Sequence, residues 1–197
     1  MFIGFNTKTN SKVKSDVSGL KITGSSIVHF QIGGTCAVAA SNTSILAATT
    51  LTAAIQAIIS NITNPAVPRN IKIIGNAAGI VGNVVIKGTN YNNESITETI
   101  ALNGTTAVEG NKAFKTVTEI DLPIKTNASG DTVSVGFGEK LGLPYKLPHN
   151  TILAACFDNI KEATAPTVAT SATVLESNTI DLNSSLNGKI VDVYLIV

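Results

Sequence analysis

The chain has 197 residues, with 14 Lys and Arg against 13 Asp and Glu, so its formal net charge is only +1. A chain of this length predicts one domain whose core is large enough to fold without disulfides or metals. The lack of clustered Lys and Arg beside aromatic residues argues against a nucleic-acid-binding protein. Thr, Asn, Ser and Gly are frequent, and because they favour strands and turns they predict a mostly β fold.

The charges are unevenly distributed along the sequence. Residues 1–93 carry seven basic residues and one acid, for a net charge of +6, whereas residues 94–197 carry seven basic and twelve acidic residues, for −5. Such a chain can associate with copies of itself or dock one end on an acidic partner. The alternative is that the two halves interleave in the fold, so that the asymmetry disappears in space.

The first 22 residues are polar and rich in lysine, which predicts an N-terminal arm or an edge strand. The candidate contacts of this segment with a partner are Lys8, Lys12, Lys14 and Lys21. The segment lacks the apolar stretch and the small-residue cleavage site of a signal peptide, so we expect synthesis in the cytoplasm. Residues 23–197 are predicted to form a single β-rich domain that begins with a strand at Ile27–Ile32.

The stretch SNTSILAATTLTAAIQAIISNITNP is uncharged and rich in Ala. Its apolar residues recur at helical spacing and Pro65 lies just beyond them, which predicts one apolar helix near residues 43–62. A helix of that length, about 30 Å, would also be long enough to span a bilayer. The many Thr, Ser and Asn side chains and the lack of a flanking aromatic belt favour a buried helix of a soluble domain. The four Thr between Thr43 and Thr52 leave a partly extended structure open.

The remainder of the chain consists of short alternating runs separated by turn sequences such as Asn103-Gly104. This pattern predicts an antiparallel β-sandwich or a barrel-like fold. Glu98 occupies an apolar position in its run, which indicates an edge strand or a pair with a lysine such as Lys115. The C-terminal run KIVDVYLIV is the strongest predicted strand, and it would promote aggregation unless a sheet or a partner covers it.

Three glycines, Gly136, Gly138 and Gly142, resemble part of a dinucleotide-binding loop. Their spacing is G-x-G-x-x-x-G, and Pro144 and Pro148 prevent the helix that such a loop requires. A β-bulge or a turn is the better interpretation. The sequence therefore predicts no nucleotide cofactor here.

Other candidate catalytic or metal-binding residues are sparse. His29 and His149 stand outside any ligand spacing with Cys or carboxylates. Glu119 and Asp121 share one face of a strand, an arrangement found in carboxylate pairs but more often on a solvated surface. The two cysteines, Cys36 and Cys156, form neither a disulfide framework nor a zinc motif, so we expect buried free thiols. We expect no enzymatic activity, no cofactor and no metal.

Several runs of the β-rich half resemble a β-module of tailed-bacteriophage structural proteins. The similar stretches are GTNYNNESITETI at Gly88–Ile100, LNGTT at Leu102–Thr106, KAFKTVT at Lys112–Thr118 and DTVSVGFGEKLGLP at Asp131–Pro144, with the tail Ser177–Val197. The resemblance covers less than half of the chain and leaves out the Lys-rich arm and the Ala-rich segment. Its motifs point to a virion component more specifically than to any one component.

The resemblance implies a capsid decoration or cement protein of the phage head. Such a protein would lie on the capsid surface, bind the outside of the major capsid shell and self-associate, with a trimer as the first expectation. It would contact neither nucleic acid nor membrane. The alternative is a tail or baseplate component or a host-surface binding module, although the lack of Trp disfavours sugar binding. A hydrolase of unknown type is a further alternative, without motif support.

Overall fold

The computed structural model describes residues 26–127 and 129–197, and the four lysines of the predicted arm lie outside these ranges. The described residues contain short 3-10 turns but no α-helix. They form fourteen strands, which are β1 Ile27–Ile32, β2 Ser41–Thr50, β3 Gln56–Ile58, β4 Arg69–Gly75, β5 Asn83–Thr89, β6 Ser95–Ala101, β7 Val108–Phe114, β8 Thr116–Leu122, β9 Thr132–Gly142, β10 Ile152–Phe157, β11 Ile160–Lys161, β12 Thr167–Ala169, β13 Thr179–Asp181 and β14 Val191–Ile196.

The strands form three antiparallel sheets. Sheet A has the order β1-β14-β10-β11, and sheet C has the order β3-β8-β5-β6. Sheet B follows the path β12-β13-β9-β4-β7, with β2 also paired to β9. Sheets B and C curl towards each other at β6 and β7 to give half of a barrel. The predicted mostly β, antiparallel architecture is confirmed. Strands from before and after residue 93 pair in all three sheets, so the two halves of the described sequence interleave.

The predicted helix near residues 43–62 is wrong. This segment contains β2, a bend and β3. The apolar residues at helical spacing do not share a buried face, because Leu51 is buried while Ile55 and Ile59 are exposed. The β-branched Thr and Ile residues of the segment fit a pleated strand better than a helix, where their χ1 freedom is restricted. Ile45 and Leu46 of β2 enter the core that lies between sheets B and C.

Strand β9 contributes to two separate hydrophobic cores. Val133, Val135 and Phe137 belong to the first core, which fills the space between sheets B and C. Leu141, at the other end of the same strand, belongs to the second core under sheet A. That second core also contains Val191, Val193 and Leu195 of β14, the alternate residues that the sequence placed on one face. The C-terminal strand is paired on both sides, and on its other face Asp192 and Ile196 are buried as well, while Tyr194 is exposed.

The three glycines of the apparent nucleotide motif lie inside β9. A Cβ at Gly136 would overlap the backbone carbonyl of Ser41 in β2, and a Cβ at Gly138 would overlap the side chain of Asn70 in β4. The β2–β9 pairing also contains two register shifts. These glycines therefore allow neighbouring elements to approach the strand closely.

Glu98 joins the exposed edges of sheets B and C. It lies on β6, the last strand of sheet C, and its Oε1 accepts hydrogen bonds from the backbone N–H groups of Asn111 at 2.6 Å and Lys112 at 3.3 Å in β7. Burial raises the pKa of this carboxyl group. The predicted edge position is therefore observed, whereas Lys115 instead donates to Asn93. The carboxylate satisfies backbone donors that a further strand would otherwise pair with.

We predict that Gly136→Ala destabilises the fold, because the new methyl group would push β2 away from β9. Overpacking of this kind costs about 1–3 kcal/mol in the free energy of unfolding. Gly33→Ala is the matched control, since a Cβ at Gly33 meets no atom within 4 Å. Denaturant unfolding of both variants measures the difference, and equal stabilities would contradict the close contact between Gly136 and Ser41.

We predict that Glu98→Ala lowers the free energy of unfolding by about 1–3 kcal/mol, because two backbone donors of β7 lose their acceptor. Gly110→Ala should reproduce part of this loss, since its Cβ would displace the Glu98 carboxylate. The double variant should then lose less than the sum of the two single losses. Additive losses would show that the two positions act independently.

The Glu98 carboxyl group also predicts a pH dependence. Folding raises its pKa above the ordinary 4.5, so the folded state binds this proton more tightly than the unfolded state. The contribution of Glu98 to stability is therefore largest below 4.5 and falls as the pH rises through the raised folded value. Glu98→Gln should remove that part of the pH dependence in unfolding experiments between about pH 4 and pH 7.

Candidate functional site

The outer face of sheet C is the best candidate for an interaction surface. Ile86 and Ile120 point from this sheet into the first core, so the alternate residues of the same strands point to solvent. The outer face consists of the solvent-facing residues of the four strands of sheet C, together with two residues that flank β3. These are Ile55, Ala57, Ile59, Val85, Lys87, Thr97, Thr99, Glu119 and Asp121.

One end of the outer face is apolar and unusually exposed. Ile55 is 72% exposed and Ile59 is 73% exposed, on either side of the three-residue edge strand β3. Ile124 at 54% and Val81 at 56% continue the surface beyond β8 and β5. Several exposed aliphatic side chains close together are typical of an interaction site, whereas single ones are normal on a protein surface.

A groove runs through this apolar end. It has a volume of about 370 Å³ and is lined mainly by Ile55, Val85, Leu122, Pro123 and Ile124. Its floor is fixed by the β3–β8 and β8–β5 pairings, which continue into the regular core of sheet C. The groove is therefore a feature of paired strands and offers a preformed shape to a partner.

A compact ion-paired cluster lies beside the groove. The Lys87 ammonium group is 2.8 Å from the Glu119 carboxylate and 2.8 Å from the Asp121 carboxylate. Hydrogen bonds to Asp121 and Glu119 raise the pKa of Lys87. The sequence placed Glu119 and Asp121 on one strand face, and the structure places this lysine between them. One ammonium group thus contacts both carboxylates, and the cluster, with a net charge of −1, forms a polar rim to the groove.

The two histidines, His29 and His149, occupy different environments. His29 on β1 lies 2.7 Å from Asp192 on β14 and stacks on the ring of Tyr194. Gln31 donates to the same Asp192 oxygen. His149 is exposed in the loop before β10. The structure therefore keeps the two histidines in separate places and ties His29 into the pairing of β1 with β14.

The two cysteines, Cys36 and Cys156, are free, as predicted, but half-buried where full burial was expected. Within residues 26–127 and 129–197, no group of three or more His, Cys, Asp or Glu side chains is placed to hold a metal ion. No helix in the same ranges combines the length and the apolar character needed to cross a membrane.

Arg69 is a buried charge that the sequence did not single out. Its side chain is fully buried, lies 4.3 Å above the ring of Phe137 and donates to the backbone carbonyls of Val38 and Gly138. Burial lowers its pKa to about 10. Its position on β4, beside β9, places it between the regions of the two cores, so we assign it a structural role.

A second group of charges surrounds the end of β13. Burial raises the pKa of Asp181, and the nearby Glu109 and Glu139 raise it further. Lys140 and Asn111 lie beside Asp181 in a shallow cavity of about 230 Å³. These charges belong to sheet B and not to the apolar groove, and the Lys140 ammonium group donates to the carbonyl of Gly110 and to Oδ1 of Asn111.

No protein-family model matches this chain, and neither a curated protein nor a solved structure matches it.

We predict that Lys87→Met lowers the thermal midpoint of unfolding, because Glu119 and Asp121 would lose the cation between them. The loss should be larger at low ionic strength, where the repulsion between the two carboxylates is least screened. Lys115→Met is the matched control, since the Lys115 ammonium group donates to the neutral side chain of Asn93. Thermal scans at low and high salt test this, and a salt-independent difference would contradict it.

Proposed function

We propose that this chain is a structural virion protein that binds the outside of the major capsid shell of a tailed bacteriophage. The observation that carries the proposal is the exposed apolar groove on the outer face of sheet C. Its centre is aliphatic and its rim is ion-paired, which is the usual arrangement of a protein–protein interface. The resemblance of Gly88–Ile100 and Asp131–Pro144 to phage virion modules supports a capsid as the partner.

The body is suited to a cement function, because its binding surface is held on paired strands. Sheet C carries the groove, and Glu98 joins the opposite edge of that sheet to sheet B. A force applied at the groove is therefore distributed over two sheets and their common core. Many such copies on one shell would add modest individual affinities into a large total stabilisation.

Self-association, with a trimer as the first expectation, is part of the same proposal. The Lys-rich N-terminal segment would supply a second contact with the shell, through Lys8, Lys12, Lys14 and Lys21. A protein that joins neighbouring capsid subunits needs at least two such contacts, because one contact alone binds without bridging. We propose no enzymatic activity, no cofactor and no contact with DNA or membrane.

The test is saturable co-sedimentation of the purified chain with undecorated capsids. We predict that Ile55→Asp weakens this binding about tenfold or more, because it places a charge at the centre of an apolar interface. Ile160→Asp is the matched control, since Ile160 is also 72% exposed but lies on β11 of sheet A. Equal affinities of the two variants would contradict the assignment of the groove.

The same experiment separates the proposal from its rival. Binding of the wild-type chain to isolated tails or to host cell walls, with no binding to capsids, would overturn the head assignment. It would then favour a tail or baseplate component or a host-surface binding module. Circular dichroism of both Asp variants checks that each keeps the β fold of the wild type.

A further inference from the structure

The outer face of sheet C is arranged in rows of residues that lie side by side across its strands. Asp121 of β8 is opposite Ala57 of β3 on one side and opposite Val85 of β5 on the other. In the next row along β8, Glu119 is opposite Lys87 of β5. Asp121 is therefore a charged residue with an apolar neighbour on each side.

Asp121 belongs to the apolar groove as well as to the ion-paired cluster. It lines the groove together with Ile55 and Pro123, and its Oδ2 atom is 2.8 Å from the Lys87 ammonium group. Pro123 is two residues further along the chain, a separation of roughly 6.8 Å in extended backbone. The apolar and the acidic parts of this surface are thus close enough for one short segment of a partner to contact both.

The cluster carries an excess of negative charge that a partner can reach. The single ammonium group of Lys87 contacts Oε1 of Glu119 and Oδ2 of Asp121, and each carboxylate can accept further hydrogen bonds at its second oxygen. The Asp121 side chain is 22% exposed and the Glu119 side chain is 32% exposed. The other members of the outer face are apolar residues and threonines, so the net charge of −1 is that of the whole face.

We propose that the segment of the capsid shell that enters the groove carries a lysine or an arginine beside an aliphatic side chain, and that this cation contacts Asp121. The inference rests on the proposed function and adds the chemistry of the partner to it. An acidic segment would bring like charge to the rim, and a purely apolar one would remove water from Asp121 without replacing its hydrogen bonds. A cation next to the aliphatic side chain matches both parts of the surface.

The test is co-sedimentation with undecorated capsids at about 0.1 M and about 1 M ionic strength, between which the Debye length falls from about 10 Å to about 3 Å. Asp121→Asn should weaken binding about three- to fivefold at the lower ionic strength, because the cation of the partner loses its counter-charge. The difference from the wild type should largely disappear at the higher ionic strength.

Asp158→Asn is the matched control for this variant. It also removes one carboxylate that contacts a lysine, Lys189, but it does so in the turn between β10 and β11 of sheet A. The two variants change the net charge of the chain by the same amount. Asp158→Asn should therefore bind capsids as the wild type does at both ionic strengths.

A second variant should change the affinity in the opposite direction. Lys87→Met leaves the two carboxylates with a net charge of −2, so it should tighten capsid binding about three- to fivefold at the lower ionic strength, even though it lowers the thermal midpoint of unfolding. Lys115→Met removes the same charge elsewhere and should leave the affinity unchanged. A cluster with only a structural role would not give tighter binding in a less stable variant.

The outcomes separate this inference from the proposed function. If Ile55→Asp weakens capsid binding while Asp121→Asn binds as tightly as the wild type at the lower ionic strength, the groove remains the capsid contact and the cation is overturned. Tighter binding of Asp121→Asn would also overturn it, because the partner would then be acidic or purely apolar. Failure of the wild type to bind capsids would overturn both proposals. If instead Ile55→Asp and Asp121→Asn dissociate an oligomer in the absence of capsids, the groove belongs to a second copy and the capsid contact is overturned.

Discussion

The fold depends on one strand that serves two hydrophobic cores. Strand β9 pairs with β4 along one side and with β2 and β13 along the other, and its two ends enter different cores. This sharing requires the backbone of β2 and the side chain of Asn70 in β4 to approach β9 closely, which side chains at Gly136 and Gly138 would prevent. The glycines that resembled a nucleotide loop are therefore explained by packing. Strand β9, which contains them, connects the first hydrophobic core to the second.

The edges of the three sheets follow from the same need to satisfy backbone groups. A sheet that is not closed into a barrel leaves unpaired donors and acceptors at its edges. Here the carboxylate of Glu98 takes the position that a neighbouring strand would occupy, and the short strands β3, β11 and β12 each end one edge of a sheet. The half-barrel is thus closed by a side chain where the backbone does not reach. This leaves surface apolarity, rather than open backbone, as the main means of recognition on sheet C.

The sequence predicted the strands well where one face is buried and the other is solvated. In KIVDVYLIV and in the run that contains Glu98, buried residues such as Val193 and Ile96 are followed by another buried apolar residue within the same alternating series. The alternation of each run was therefore informative. The predicted helix near residues 43–62 is wrong because hydrophobic spacing does not by itself indicate burial. Ile55 and Ile59 are apolar but exposed, so their spacing carried no information about a core-facing stripe. The pairing of Glu98 with β7 depends on a contact between sheets, which a local pattern does not contain.

That failure and the candidate interaction surface have a common origin. Folding alone favours polar residues at positions as exposed as Ile55, because an exposed aliphatic side chain gains nothing from the core. Sequence and fold normally agree at every level, and departures from that agreement concentrate at functional positions. Ile55 and Ile59, whose spacing suggested a helix, line and flank the groove. They lie beside the ion pairs that Lys87 makes with Glu119 and Asp121. Stability of the isolated chain does not account for an aliphatic cluster at these positions, and the partner proposed above would provide a physical reason for it.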